Sequence, residues 1–171
     1  MRRPMVALVV ALTLLTALTT LTTATGAATA ATAATAGTEE KSAYLLTYFL
    51  GNGEDGLHMA WSADGFQWET LGEGRSFLTP MVGEKKLMRD PNVLRGPDGR
   101  FHLVWTTAWE GHTIGYASST ALVHWSLQQA IPVMAHEPEV RNCWAPELSY
   151  DATRKRFLVF WASTIRGRFP E

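Results

Sequence analysis

The chain has 171 residues, a formal net charge of −1, 18% charged residues and a single cysteine, Cys143. A near-neutral chain without a basic run after its N-terminal segment is not expected to bind nucleic acid and is better suited to neutral ligands. One cysteine excludes an internal disulfide, so packing must stabilise the fold, with Cys143 interpreted as a small buried apolar side chain.

The N-terminus has the layout of a secretory signal peptide. An arginine pair at positions 2 and 3 precedes an apolar run from Met5 to Leu21, and Ala/Thr repeats follow. Threonines interrupt the run, which is short against the about 20 apolar residues that a membrane span requires, so a retained anchor is the weaker alternative. We predict a secreted, extracellular protein with residues 1–36 as signal peptide and low-complexity leader and residues 43–171 as the folded part.

Beyond the leader, short alternating runs bounded by Gly, Asp and Asn are typical of strands and turns. The turns are rich in residues that tolerate positive φ, as in GNGEDG at 51–56, ADG at 63–65 and GPDG at 96–99. The predicted strands fall into three sets, in chain order Tyr44–Phe49, Leu57–Ser62 and Phe66–Thr70; Asn92–Arg95, Phe101–Thr107, Thr113–Ser118 and Trp125–Ile131; Glu147–Tyr150 and Phe157–Ser163.

The sets are copies of one unit. GLHMAWSADGFQW and TIGYASSTALVHW superpose at a constant offset of 57 residues, with Trp68 on Trp125. RDPNVLRGPDGRFHLVW and WAPELSYDATRKRFLVFW superpose at an offset of 55 to 56, starting with Pro91 on Pro146. This period, with about four short strands, is typical of propeller blades, whereas a β-sandwich does not predict tryptophans that repeat in phase. We therefore predict an all-β, partial β-propeller of about two and a half blades of antiparallel sheets.

An acidic residue lies beside a proline where the first strand of a unit begins. Asp90 occurs in KLMRDPNV and Glu147 in RNCWAPELSYD. Because the first strand of each blade lines the central channel of a propeller, we expect both carboxylates to occupy matching positions and to converge on one cavity. Paired carboxylates serve glycosidic cleavage, one activating water and another protonating the leaving oxygen. Turn capping, or pairing with the nearby Arg89 and Arg141, is the structural alternative.

These segments resemble a known family. They are similar to the first two catalytic blades of glycoside hydrolase family 43, the arabinosidase and xylosidase-type five-bladed propellers. The similarity lies in RDP with the hairpin GPDGRFHLVWT, and in WAPE with YDATRKRFLVFWAS. The resemblance covers most of residues 43–171 and implies inverting hydrolysis, with Asp90 as general base and Glu147 tuning and orienting the general acid. Many members have Asp where Glu147 stands. Their general acid is a glutamate of a later blade, so the resemblance implies an incomplete N-terminal part of the propeller that is inactive in isolation.

Seven tryptophans lie between residues 61 and 161. Four recur at fixed positions of the repeat, the pair Trp68 and Trp125 and the pair Trp105 and Trp161, which favours packing between blades. The residues that we predict to contact a sugar are Trp109 and Trp144, which lie outside the repeat, together with Arg89 and Arg141.

The leading hypothesis is a secreted glycosidase that removes arabinofuranosyl or xylosyl units from polysaccharide side chains or oligosaccharides. The histidines lack metal-ligand spacing, and the sequence has neither a phosphate-binding glycine loop nor a nucleophile elbow, so no metal or cofactor is predicted. Two alternatives from other classes are a glycan-binding or degenerate propeller without catalysis and a propeller used for protein interaction.

Overall fold

The computed structural model describes residues 42–168, so the predicted leader lies outside the described residues. Within this range the chain forms strands with one short 3₁₀ turn at Leu71–Gly74. The strands are β1 Tyr44–Tyr48, β2 His58–Ser62, β3 Glu69–Thr70, β4 Arg89–Arg95, β5 Phe101–Thr106, β6 Ile114–Ser119, β7 Gln129–Ile131, β8 Trp144–Asp151 and β9 Arg156–Ala162.

The strands form three antiparallel sheets that follow the chain. Sheet 1 has the order β1-β2-β3, sheet 2 the order β4-β5-β6-β7 and sheet 3 the order β8-β9. The all-β class and the division into three, four and two strands are therefore confirmed. This arrangement is consistent with consecutive blades of a partial propeller.

The last strands of sheets 1 and 2 are shorter than predicted. Ser62 Oγ accepts hydrogen bonds from the N–H groups of Asp64 and Gly65 at 3.2 and 2.8 Å, and Asp64 Oδ1 accepts from the next two N–H groups. Ser119 Oγ in the same way accepts from Ala121 and Leu122. The bonds to Asp64 use the backbone donors that a strand from Phe66 would need, so the predicted start of β3 at Phe66 is wrong. β7 begins at Gln129 and not at the predicted Trp125, which forms only an isolated bridge with Ser119.

Two apolar clusters join the sheets. β5 supplies both, because successive side chains of a strand point to opposite faces: Leu103 faces sheet 1 and Val104 faces sheet 3, and both are fully buried. Trp105 is also fully buried, and its ring lies so close to Gly115 that any Cβ there would come within 1.9 Å of it. Cys143 belongs to the second cluster, which confirms its prediction as a small buried side chain. Burial raises the pKa of its thiol and so disfavours a reactive thiolate.

A β-bulge begins both β4 and β8. Arg89 pairs with Thr106 and Asn92 with Val104, so Asp90 and Pro91 together oppose one residue of β5. A proline suits this site because it has no N–H to donate to the ladder. In β8, Trp144 pairs with Ala162 and Glu147 with Phe160, which leaves Ala145 and Pro146 in the corresponding bulge. The two residues before the prolines, Asp90 and Ala145, have left-handed φ angles of 48° and 46°.

The register of these bulges corrects one expectation. Asp90 matches Ala145, and Glu147 matches Asn92, so the two acids do not occupy matching positions. The proline fixes the bulge, and the acids lie on opposite sides of it, since the motifs read Asp-Pro and Pro-Glu. Consecutive residues of a strand face opposite ways, and a bulge changes the direction of the residues within it. The two carboxylates therefore have different environments.

Candidate functional site

Asp90 is a partly buried carboxylate that the β4 bulge presents at the end of sheet 2. Its Oδ2 accepts a hydrogen bond of 3.1 Å from Thr106 Oγ1, and the same hydroxyl accepts from the Ala145 N–H at 2.9 Å. Because the N–H can only donate, the Thr106 hydroxyl has its proton available for Asp90. Oδ1 of Asp90 has no hydrogen-bond partner among residues 42–168. One oxygen is thus oriented by the protein, and the other is available to a ligand or water.

Arg89 does not pair with Asp90. Its guanidinium carbon lies 4.1 Å from the centre of the Trp109 ring and 4.8 Å from that of Phe49. Arg89 Nη1 donates to Asn52 Oδ1 at 3.0 Å, and Trp109 Nε1 donates to the same oxygen at 2.8 Å. Arg89 and Asn52 therefore orient Trp109, through a cation–π contact and shared hydrogen bonding. The ion pair with Asp90 that would have given the aspartate a purely structural explanation is not formed.

Trp144 and Arg141 approach the same loop. Trp144 Nε1 donates to the Trp109 carbonyl oxygen at 3.0 Å, and the two indole rings are nearly perpendicular, at 88°, with centres 5.8 Å apart. Arg141 Nε lies 3.4 Å from Glu110 Oε1, and the Arg141 carbonyl accepts from the Gly111 N–H. The four residues predicted to contact a sugar are thus brought together around the loop between β5 and β6, beside the Asp90 bulge.

An open cavity of about 470 Å³ lies beside this loop. Its size falls within the usual range of small-ligand sites. Trp109 contributes one wall and is 52% exposed, so part of its indole is accessible to a ligand. The other lining residues were not predicted from the sequence, because they come from loops without a recognisable motif: Asn52, Lys85, Leu87 and Glu110.

Glu84 anchors the loop that carries Trp109. Its Oε2 accepts from the hydroxyls of Thr107 and Thr113 at 2.9 and 2.6 Å, and its Oε1 accepts from the N–H groups of His112 and Thr113. Burial by itself would raise the pKa of Glu84, but these hydrogen bonds to the charged form together hold the pKa below its ordinary value. Glu84 is therefore an ionised structural group and is unsuited to be a proton donor.

Glu147 lies in a more open environment. Its side chain is exposed, and it has no hydrogen bond or ion pair within residues 42–168, so Arg141 does not neutralise it. Its strand partner Phe160 is 56% exposed. The matching residue of sheet 2, Asn92, is buried and accepts a hydrogen bond of 3.0 Å from the Leu148 N–H of sheet 3. In sheet 2, the side chain at the position that corresponds to Glu147 thus reaches across to the neighbouring sheet.

A family model described as "Probable glycosyl hydrolase domain", of the group related to glycoside hydrolase family 43, matches residues 39–168. The chain belongs to this family. Membership confirms the family resemblance and supports a glycoside hydrolase-like function on a carbohydrate substrate. No curated protein is significantly similar to this glycosyl hydrolase-related chain.

Two further observations concern residues 42–168 of this family member. None of the helical segments in this range has the length and apolar character needed to cross a bilayer. The same part of the chain contains no group of three or more His, Cys, Asp or Glu side chains arranged to hold a metal ion.

Proposed function

We propose that the protein is a secreted glycosidase that hydrolyses arabinofuranosyl or xylosyl linkages with inversion of configuration. The observation that carries this proposal is the Asp90 carboxylate, with one oxygen held by Thr106 and the other unpaired. Asp90 follows Arg89 in β4, and Arg89 packs against the half-exposed ring of Trp109. A base with this geometry suits the activation of water, and an accessible indole suits contact with the apolar face of a sugar.

In the proposed reaction, water attacks the anomeric carbon while Asp90 takes one of its protons. The bond from the anomeric carbon to the glycosidic oxygen breaks, and that oxygen receives a proton from a general acid. Glu147 is proposed to orient this acid and tune its pKa, because its position reaches toward a neighbouring sheet, as that of Asn92 does. The acid itself is proposed to come from a further repeat of the propeller, so the 171-residue chain alone is expected to lack turnover.

The decisive experiment compares Asp90→Asn with the parent protein carrying all its repeats, in assays of aryl arabinofuranoside and aryl xyloside hydrolysis. Loss of the base is expected to reduce kcat/KM by about 10²- to 10⁴-fold. Glu69→Gln is the matched control, since Glu69 is an exposed acid of β3 remote from the bulge. Full activity of Asp90→Asn would refute the base, and a product that retains its anomeric configuration would refute inversion.

A glycan-binding protein without catalysis is the second candidate. The unpaired, exposed Glu147 favours it, because nothing among residues 42–168 holds this carboxylate in a catalytic geometry. This alternative predicts saturable binding of arabinan or xylan oligosaccharides with no release of product. Isothermal calorimetry combined with product analysis separates the two functions.

Export is proposed from the N-terminal sequence. It predicts that the mature protein recovered outside the cell begins after the Ala/Thr-rich segment, and intact-mass measurement of the secreted protein tests this. A protein that retains Met1 and the apolar run at 5–21 would contradict it.

A further inference from the structure

The cavity beside Trp109 contains one charge that the protein leaves without a partner. Lys85 lines the cavity, and within residues 42–168 it forms no ion pair or hydrogen bond. It directly follows Glu84, whose bonds to the β5–β6 loop hold this part of the chain against the cavity. Lys85 therefore lines the same cavity as Trp109, and no residue among 42–168 neutralises its charge.

The carboxylates near the cavity are each engaged elsewhere. Glu110 lies beside Arg141. Glu84 accepts hydrogen bonds from the β5–β6 loop, and Glu54 accepts a hydrogen bond from the Asn52 side chain. Arg89, a further cation beside Trp109, is held between two aromatic rings and donates a hydrogen bond to Asn52. An anionic ligand group can thus pair with Lys85 without breaking an existing ion pair of the protein.

The other lining groups suit a sugar ring. Trp109 and Leu87 give an apolar wall, and Glu110 Oε2 forms no hydrogen bond within residues 42–168, so it can accept one from a hydroxyl. Apolar walls with a few placed polar groups are typical of small-ligand sites. The combination of an indole face, an acceptor and an unpaired ammonium group matches a sugar that carries a carboxylate.

We propose that this cavity is a subsite for a uronic acid residue, with the uronate carboxylate paired to Lys85 and the ring against Trp109. The inference rests on the proposed function in that the ligand is a glycan, and it narrows the substrate class to acidic polysaccharides or oligosaccharides. It assigns Lys85 to specificity and leaves the bond-breaking step to Asp90.

The test measures binding of trigalacturonate and of its fully methyl-esterified form, two probes that differ in charge, by calorimetry on the full-length protein at low salt. We expect the acid to bind about two- to fivefold more tightly, as for a solvent-exposed ion pair, and salt to remove the difference. Lys85→Met, which keeps the aliphatic stem, should abolish the preference, and Lys85→Arg should retain it. Lys155→Met is the matched control, because Lys155 lies in the distant β8–β9 turn.

The outcomes separate this inference from the proposed function. Equal binding of both probes, unchanged in Lys85→Met, overturns the uronate subsite and leaves glycan binding intact. A preference lowered equally by Lys85→Met and Lys155→Met also overturns it, because the effect then arises from overall charge. If these probes and neutral xylo- and arabino-oligosaccharides all fail to bind, glycan binding itself fails. Circular dichroism of each variant shows whether the fold is retained.

Discussion

The starts of β4 and β8 share a backbone and differ in their surroundings. Both contain a bulge with a left-handed residue before a proline. At β4, sheet 3 covers the bulge: Thr106 joins Asp90 to the Ala145 N–H, and Asn92 accepts from the Leu148 N–H. At β8, the residue in the place of Asn92 is the exposed Glu147. Asp90, inside its bulge, is therefore bonded through Thr106 to the neighbouring sheet, whereas Glu147, just after its bulge, is open to a partner.

The difference shows that the proline determines the backbone, whereas the neighbouring sheet determines the role of each side chain. A proline at this point removes one ladder donor, and the bulge accommodates the loss in both strands. The functional state of the carboxylates depends on contacts between residues far apart in the chain, such as Thr106 with Ala145.

The largest difference in stability is expected between the variants Asn92→Ala and Glu147→Ala. Removing the Asn92 amide leaves the Leu148 N–H without its partner in a buried site, which should lower the free energy of unfolding by about 1 to 3 kcal/mol. The exposed Glu147 should change it by less than about 0.5 kcal/mol. Urea denaturation of both variants measures the contrast, and equal losses would show that the two positions are not distinguished by their neighbours.

Next in size is Thr106→Val, compared with Thr47→Val. Each threonine is buried and each bonds to the β4 bulge, Thr106 to the Asp90 carboxylate and Thr47 to the Pro91 carbonyl at 2.7 Å. Both variants should lose about 1 to 2 kcal/mol of stability. Only Thr106→Val should also reduce kcat/KM, because only this residue orients the proposed base. Equal activity of the two variants would argue against that positioning role.

A smaller effect is expected at Glu84 and should depend on pH. Its folded-state pKa is lowered, so its stabilisation is fully present above the ordinary carboxyl value near 4.5 and is lost as the pH falls through the folded pKa. Glu84→Gln should therefore be less stable than the parent at pH 7, by about 1 kcal/mol or less because solvent screens this partly exposed group. The gap should close in acid. A gap that does not change from pH 7 to pH 3 would contradict this, and the exposed Glu73→Gln serves as control.

The smallest effect concerns the left-handed residue itself. Ala145 has a φ of 46°, a conformation that costs an alanine about 1 kcal/mol and a glycine almost nothing. Ala145→Gly should gain less than about 1 kcal/mol, because the glycine also adds entropy to the unfolded chain. Thermal denaturation measures the change, and a clear loss of stability would show that the methyl group packs usefully.

Much of the fold could be predicted from the repeat. The offsets of Trp68 to Trp125 and of Pro91 to Pro146 predicted three successive sheets, since each unit carries its own turns and strand patterns. Trp109, Trp144, Arg89 and Arg141 lie around one loop, and their contact with a sugar stays a prediction. Asn52, Lys85 and Thr106 were missed, because only contacts between distant segments give them a role.

The sequence by itself determined the strand units and the family, because turn residues, alternation and in-phase repeats act over a few neighbouring positions. Tertiary structure alone decided that Arg89 lies against Trp109, that Thr106 links Asp90 to Ala145, and that Lys85 borders a cavity. These features depend on register and on the packing of one sheet against the next. A shift of one residue reverses the face of a side chain, and no local pattern records which segment will lie opposite.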